Sequence, residues 1–233
     1  MWEFNARNGF HFLIDKLRGA PPRPLRARDY VARHATPGDP ASVLSALDRY
    51  ATEERWLMSV GPEKGPLLSE MIGRIPKGAR VLELGAYCGY SAIMICQRLA
   101  PPGALVSVEV SPANAAAARD NIAAAGFAER VDVRVGSSSE EIPKLQGPFD
   151  LVFLDHWKDL YKTDLELLEQ HGMLRPGSIV VADNTGDLFS PETYLTYVRT
   201  CGRYDSESRE AHIEYSQLPD AVEISVYRDP DAS

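Results

Sequence analysis

Asp155, Lys158, Asp183 and Asn184 are the residues whose types and spacing could do chemistry. Asp155 follows the apolar run 151–154, and Asp183-Asn184 follows the next such run, 179–182. Two carboxylates and an amide oxygen at the ends of consecutive strands form a hard, all-oxygen set. With waters and substrate oxygens filling six positions, it suits Mg²⁺ rather than zinc, which prefers Cys and His. A lone Asp at a strand end more often caps the next helix, but two in register beside Asn184 favour a metal. Lys158 lies three residues beyond Asp155. An ammonium close to a divalent cation is pushed toward its neutral form, which prepares it as a general base. A solvated surface lysine is the bland alternative. Between them, Trp157 offers a ring to stack on and His156 a hydrogen bond to a nucleobase edge; as isolated residues both more often pack.

A second constellation lies upstream, in Glu83-Leu84-Gly85-Ala86-Tyr87-Cys88-Gly89-Tyr90-Ser91. It joins a short apolar strand to a helix. Gly85 and Gly89 allow backbone angles closed to other residues and let a ligand approach the main chain. The free amides opening the next helix face whatever binds there. Glu109, twenty positions after Gly89, ends the next apolar run, where an acid suits a ribose diol. A nucleoside-type cofactor follows. Glycines plus Glu109 fit a dinucleotide equally well, but hydride transfer has no need of the metal-and-base set downstream. Cys88 reads as a small buried filler, with nothing to activate its thiol.

The elements that position these residues alternate from residue 80 onward. Runs at 81–84, 105–108, 131–135, 151–154 and 179–182 have the length and β-branched content of buried parallel strands. Helical stretches intervene, including an alanine-rich one over 114–125 closed by Gly126, another over 159–171, and a last one over 191–200. Two alternating runs, 211–215 and 222–227, close the chain as an antiparallel hairpin. Before the first strand, Asp39-Pro40 starts one helix. Gly61, Pro62 and Gly65-Pro66 break the chain before a second, 67–75. Trp56 and Met58 at the end of the first helix read as ordinary core. The expected fold is α/β: a doubly wound, mainly parallel, seven-stranded Rossmann-like sheet with a C-terminal antiparallel hairpin and extra N-terminal helices. Its crevice lies at the strand carboxyl ends, where Glu83–Ser91, Glu109, Gly136–Ser139, Asp155–Lys158 and Asp183-Asn184 converge.

Composition narrows the function. The chain has 233 residues, 44% hydrophobic, enough for one sizeable core, with a net charge of -8 that argues against a general nucleic-acid binder. Residues 1–28 carry six basic side chains against two acidic ones, together with Trp2, Phe4, Phe10 and Phe12. They form a basic, aromatic extension ahead of a single domain, 29–233. An amphipathic helix on an anionic membrane is one reading of it, a packed helix or free tail the favoured one. No run approaches the roughly 20 apolar residues of a membrane span. Three cysteines form neither a disulfide framework nor a zinc spacing, which indicates a reducing, cytoplasmic setting.

Five strings, Trp56–Lys64 (WLMSVGPEK), Glu83–Ser91 (ELGAYCGYS), Val152–Lys158 (VFLDHWK), Ala182–Asn184 (ADN) and Ile213–Tyr215 (IEY), occur in an order that resembles the catechol O-methyltransferase family. The likeness runs from about Asp29 to Arg228. It implies S-adenosylmethionine along Val60, Glu83, Gly85, Tyr87, Tyr90 and Ser91, with Glu109 on the ribose. Ser138, His156 and Trp157 would surround the adenine, and Asp155 would lie near the methionine amine. Mg²⁺ would be held by Asp155, Asp183 and Asn184. Lys158 would deprotonate one substrate hydroxyl and Glu214 would hydrogen-bond the other. Trp56, Met58 and Trp157 would wall an aromatic diol. The chain departs from the family at Ser59, at Ser139, and in the loop Thr185–Pro191, so substrate preference does not carry over. Other vicinal diols or phenols, of caffeoyl or natural-product type, form the alternative within enzymes. A noncatalytic cofactor-binding partner protein is the alternative outside them, and a nucleic-acid methyltransferase conflicts with the acidic balance.

Overall fold

Because the runs at 81–84, 105–108, 151–154 and 179–182 are buried on both faces, while 131–135 alternates apolar with charged residues, they call for a sheet covered on both sides with the last run at its edge. The computed structural model, which describes residues 13–15 and 17–228, has that arrangement. Strands β1 (Arg80–Leu84), β2 (Ala104–Glu109), β3 (Val131–Val135), β4 (Leu151–Leu154) and β5 (Ile179–Ala182) pair in parallel. β6 (Tyr204–His212) and β7 (Pro219–Tyr227) add an antiparallel edge, giving the order β3-β2-β1-β4-β5-β7-β6. The doubly wound, seven-stranded expectation holds.

On one face lie α1 (Arg23–His34), α2 (Pro40–Arg49), α3 (Gly61–Arg74), α4 (Tyr90–Arg98) and α5 (Pro112–Ala124). The other carries α7 (Tyr161–Gln170) and α8 (Glu192–Thr200); a single turn, α6 (Ser138–Glu141), follows β3. Sequence chemistry sets several boundaries. Asp39 caps α2 through hydrogen bonds from Ala41 and Ser42 N–H, with Pro40 at the first helical position. Ser111 caps α5 in the same manner, ahead of Pro112.

Several boundaries differ from expectation; β7, for one, starts at Pro219 rather than 222, and the helix opened by Pro40 ends at Arg49. α3 starts at Gly61 and carries Pro66 inside it. The hydrogen bond that Pro66 cannot donate is outweighed by burial of Leu68, Met71 and Ile72 against the sheet. β6 runs from Tyr204 to His212 rather than through 211–215. Its residues are mostly polar and only Tyr204 is buried, as suits an edge strand, so no apolar alternation marks it. Ile213–Tyr215 therefore lie in the hairpin loop. α1 crosses the 28/29 boundary and packs on α5. Most of the aromatic N-terminal stretch considered for membrane contact lies outside the described residues. Among those described, no helix is long and apolar enough to cross a membrane.

Candidate active site

Near the end of each central strand a backbone carbonyl accepts from the first residue past a neighbouring strand. Gly85 N–H donates to Val108, Asp155 N–H to Leu84, and Asp183 N–H to Leu154, each at 2.9 Å. The expected polar residues are thereby lined up along one edge of the sheet, at the point where strand order reverses around β1 and β4.

The glycine loop is shaped for close approach. Gly85 has φ +106°, and a Cβ there would lie 2.5 Å from the Asp155 carbonyl oxygen. Tyr87 takes φ +46°, held by its N–H donating to Glu109 Oε2 at 2.8 Å. Glu109 Oε1 accepts from Ser111 N–H at 2.9 Å and from Asn114 Nδ2 at 3.3 Å. Met58, Ser59, Gly85, Tyr87, Ser91 and Asp155 line a slot that also touches Tyr90. Val60 is buried where α3 begins. Glu83 lies wholly beneath the loop. It accepts from Ser107 Oγ, its Oε1 has no hydrogen-bond partner, and burial pushes its carboxyl up to about 7 against the Ser107 and Ser91 contacts.

Beyond the slot, His156 Nε2 meets the buried Asp164 carboxylate at 2.6 Å, while its Nδ1 is buried and unpartnered. Ser138 is buried at the start of α6, and Ser139 shares a 3.2 Å hydrogen bond with Ser137. Trp157 is 74% exposed and Met58 56% exposed. Met58 is thus not core, because residues 55–59 form neither helix nor strand and Met58 lines the slot instead of continuing a helix. Half-buried Trp56 donates from Nε1 to the Glu214 carbonyl at 3.1 Å, which ties this lip to the hairpin loop. Leu188 and Phe189 stand exposed between β5 and α8.

Asp155, Asp183 and Asn184 end β4 and β5 side by side, with Asn184 in the left-handed region at φ +54°. Lys158 Nζ lies 3.3 Å from Asp155 Oδ1. Burial drives the Asp155 carboxyl up to about 6, with Lys158 opposing and Asp183 adding to the rise. Glu214 is pushed up to about 7, first by burial, against the pull of Lys64.

Lys64 and Asp220 were not singled out from sequence. The Lys64 side chain is wholly buried, with Nζ 2.7 Å from Asp183 Oδ1, 3.0 Å from Asp220 Oδ2 and 3.4 Å from Glu214 Oε2. Burial alone would lower its pKa, but the three carboxylates hold it well above the usual lysine range. Only its place in the string WLMSVGPEK hinted at a role. With all groups ionised, four carboxylates (Asp155, Asp183, Glu214, Asp220) face two ammonium groups (Lys64, Lys158), an excess of about two negative charges. Among the described residues no three His, Cys, Asp or Glu side chains form a ready metal cage. Two carboxylates and one amide oxygen, with a matching charge deficit, nonetheless fit Mg²⁺, which keeps several positions for water and substrate.

Comparison with known proteins agrees with this geometry. The model of the O-methyltransferase family matches residues 35–192. Catechol O-methyltransferase of Mus musculus is 39% identical over 241 residues, covering 100% of this chain and 90% of that protein. Catechol O-methyltransferase B of Danio rerio is 44% identical over 211 residues, covering 88% and 79%. Among solved structures, the O-methyltransferase TomG from Streptomyces achromogenes, in complex with SAM, superimposes with a TM-score of 0.70 at 24% identity. It covers 80% of this chain and 90% of that one, and shows the fold.

Proposed function

The chain belongs to the O-methyltransferase family, among the catechol O-methyltransferases, and on that premise we propose that it moves a methyl group from S-adenosylmethionine to one hydroxyl of a catechol-type substrate, with Mg²⁺. The observation that carries this reading is the meeting of Asp155, Lys158, Asp183, Asn184 and Glu214 beside the glycine slot. They come from β4, β5 and the β6–β7 loop. Noncatalytic cofactor binding has no use for such a set.

The slot from Gly85 to Ser91, with Val60, Glu83 and Tyr90, would hold the cofactor's methionine end. Glu109 would take the ribose diol, while Ser138, His156 and Trp157 would frame the adenine. S-adenosylmethionine supplies an electrophilic methyl carbon, and the remaining task is to orient an oxygen in line with it and remove its proton. Asp155, Asp183 and Asn184 would hold Mg²⁺, which would supply Lewis acidity to lower the hydroxyl pKa. Lys158 accepts the proton at Nζ, close enough to Asp155 to stay ion-paired once charged. Glu214 orients the second hydroxyl, and Trp56, Met58 and Trp157 wall the ring and exclude water. The exposed Leu188 and Phe189, on a loop unlike the family's, select among catechols and related diols. Free Cys88, Cys96 and Cys201 fit a reducing, cytoplasmic setting.

Methyl transfer to a panel of catechols, caffeoyl-type diols and single phenols, with and without Mg²⁺, tests the reading. Turnover on simple catechols only with the metal supports it. Turnover on phenols but on no catechol overturns the substrate class.

A further inference from the structure

Lys64 is an expensive residue to bury. Its side chain is wholly inside, and its partners lie far along the chain, on β5 and around the β6–β7 loop. Buried ion clusters of this kind seldom add net stability over a well-packed apolar side chain. The cluster is better explained by what it does to the two residues that end β5.

Asp183 Oδ1 takes both Lys64 Nζ, at 2.7 Å, and the Asn184 N–H, at 2.8 Å. Both contacts fall on one oxygen and leave Oδ2 uncommitted. Asn184 is restrained just as narrowly. Its Nδ2 donates to Asp220 Oδ2 at 2.8 Å, so the amide oxygen is the branch left for the site. A flipped amide would set its oxygen against a carboxylate, two acceptors face to face. Asp220 cannot readily turn to relieve that. Its Oδ2 also holds Lys64 at 3.0 Å, and its Oδ1 accepts the Gly186 N–H at 3.1 Å. Gly186 sits so close that a Cβ there would be 2.6 Å from Asp220 Cα. Thr185 N–H donates to the Ala221 carbonyl at 2.9 Å and locks the two segments together.

We propose that Lys64 and Asp220 form a positioning pair that decides which oxygens of Asp183 and Asn184 face a divalent cation. This rests on the Mg²⁺ reading above. The pair works from behind the ligands and touches neither substrate nor metal. Outer partners of this type typically change metal affinity 10–100-fold.

The variants are Lys64→Met and the near-isosteric Asp220→Asn. An amide at 220 has one acceptor oxygen, so it must present an NH₂ either to Gly186 N–H or to Lys64 and Asn184. Mn²⁺ binding to the cofactor-loaded enzyme is followed by the free-ion electron paramagnetic resonance signal, and S-adenosylhomocysteine binding by calorimetry. Expected is a roughly 10–100-fold weaker Mn²⁺ affinity in both variants, with S-adenosylhomocysteine affinity within about threefold of wild type. In turnover, the rise in KM for Mg²⁺ exceeds any fall in kcat. Unchanged Mn²⁺ affinity in folded Asp220→Asn overturns the proposal. So does a variant that loses folding, or metal and cofactor affinity together, since that marks a structural pin. A wild-type enzyme that binds no Mn²⁺ overturns the metal reading itself.

Discussion

Replacing Gly85 by alanine separates two effects that a glycine loop usually confounds. Gly85 has φ +106°, and an added Cβ lies 2.5 Å from Asp155 O, 2.8 Å from Asp155 C and 3.1 Å from His156 N. The backbone conformation alone costs an L residue roughly 1–3 kcal/mol. The clash does more. To reach ordinary contact the Asp155–His156 peptide must retreat by about 0.9 Å, and it carries the candidate metal carboxylate on one side and the adenine-side imidazole on the other. Misplacement by about 1 Å costs on the order of 100-fold in rate, or about 2.7 kcal/mol of barrier. Gly177 is the matched control, since it has φ +89° and no atom within 4 Å of its would-be Cβ. Gly177→Ala should lower the melting temperature by about 2–12 °C with kcat/KM unchanged. Gly85→Ala should show a similar thermal loss plus a fall of about 100-fold in kcat/KM for catechol at saturating Mg²⁺. Weaker S-adenosylhomocysteine binding by calorimetry should accompany it. If folded Gly85→Ala keeps kcat/KM within threefold of wild type, the loop does not position β4's end, and the reasoning fails.

Lys158→Ala should lower kcat by roughly 100- to 10,000-fold while S-adenosylhomocysteine binding survives; retained turnover removes Lys158 as the base. Excess chelator should stop methyl transfer and added Mg²⁺ restore it, and full activity in chelator would reject the assignment to Asp155, Asp183 and Asn184. Asp15 gives a pH signature. Burial would raise its carboxyl, but Arg26 and Arg55 outweigh that and bring it from 3.8 to about 2. A depressed folded pKa stabilises above the unfolded value and is lost as pH falls through the folded one. Asp15→Asn should therefore lower the melting temperature at pH 7 by an amount worth about 1 kcal/mol or less after solvent screening, a gap that narrows between about pH 4 and 2. A gap that is constant with pH means that charge is not its source.

The central sheet was legible because β1, β2, β4 and β5 are short, apolar and β-branched, and because polar residues follow each of them. The ends of those strands could be placed in one crevice by topology alone. The closing hairpin was legible but its first strand, β6, was placed too late, since an edge strand spelled YDSESREAH has no apolar face to announce it. α3 was shortened because Gly65-Pro66 reads locally as a break, and only tertiary packing carries the helix through. Lys64 shows the limit more sharply. A lysine between Glu63 and Gly65 looks solvated, and its burial depends on Asp183, Glu214 and Asp220, none of them near it in sequence. Met58 erred the other way, since hydrophobic character said inside while a lip outside any helix or strand leaves it exposed.

The hairpin that closes the sheet divides labour within the crevice. Apart from Val60 in front of α3 and Ser138 behind the edge strand β3, everything assigned to the cofactor, the metal and the proton lies at or just past the ends of β1, β2, β4 and β5, whose register is fixed on both sides. Glu214 alone rides on the β6–β7 loop, at the antiparallel edge, tied by Trp56 to the lip in front of α3. On the role proposed for Glu214, changes in that loop or lip would reshape the grip on the substrate's second hydroxyl while the register of β1, β4 and β5 stays fixed. Substrate choice and methyl-transfer chemistry are therefore separately adjustable, and chimeras that exchange only the lip and hairpin loop between relatives should trade preference among diols without trading away turnover.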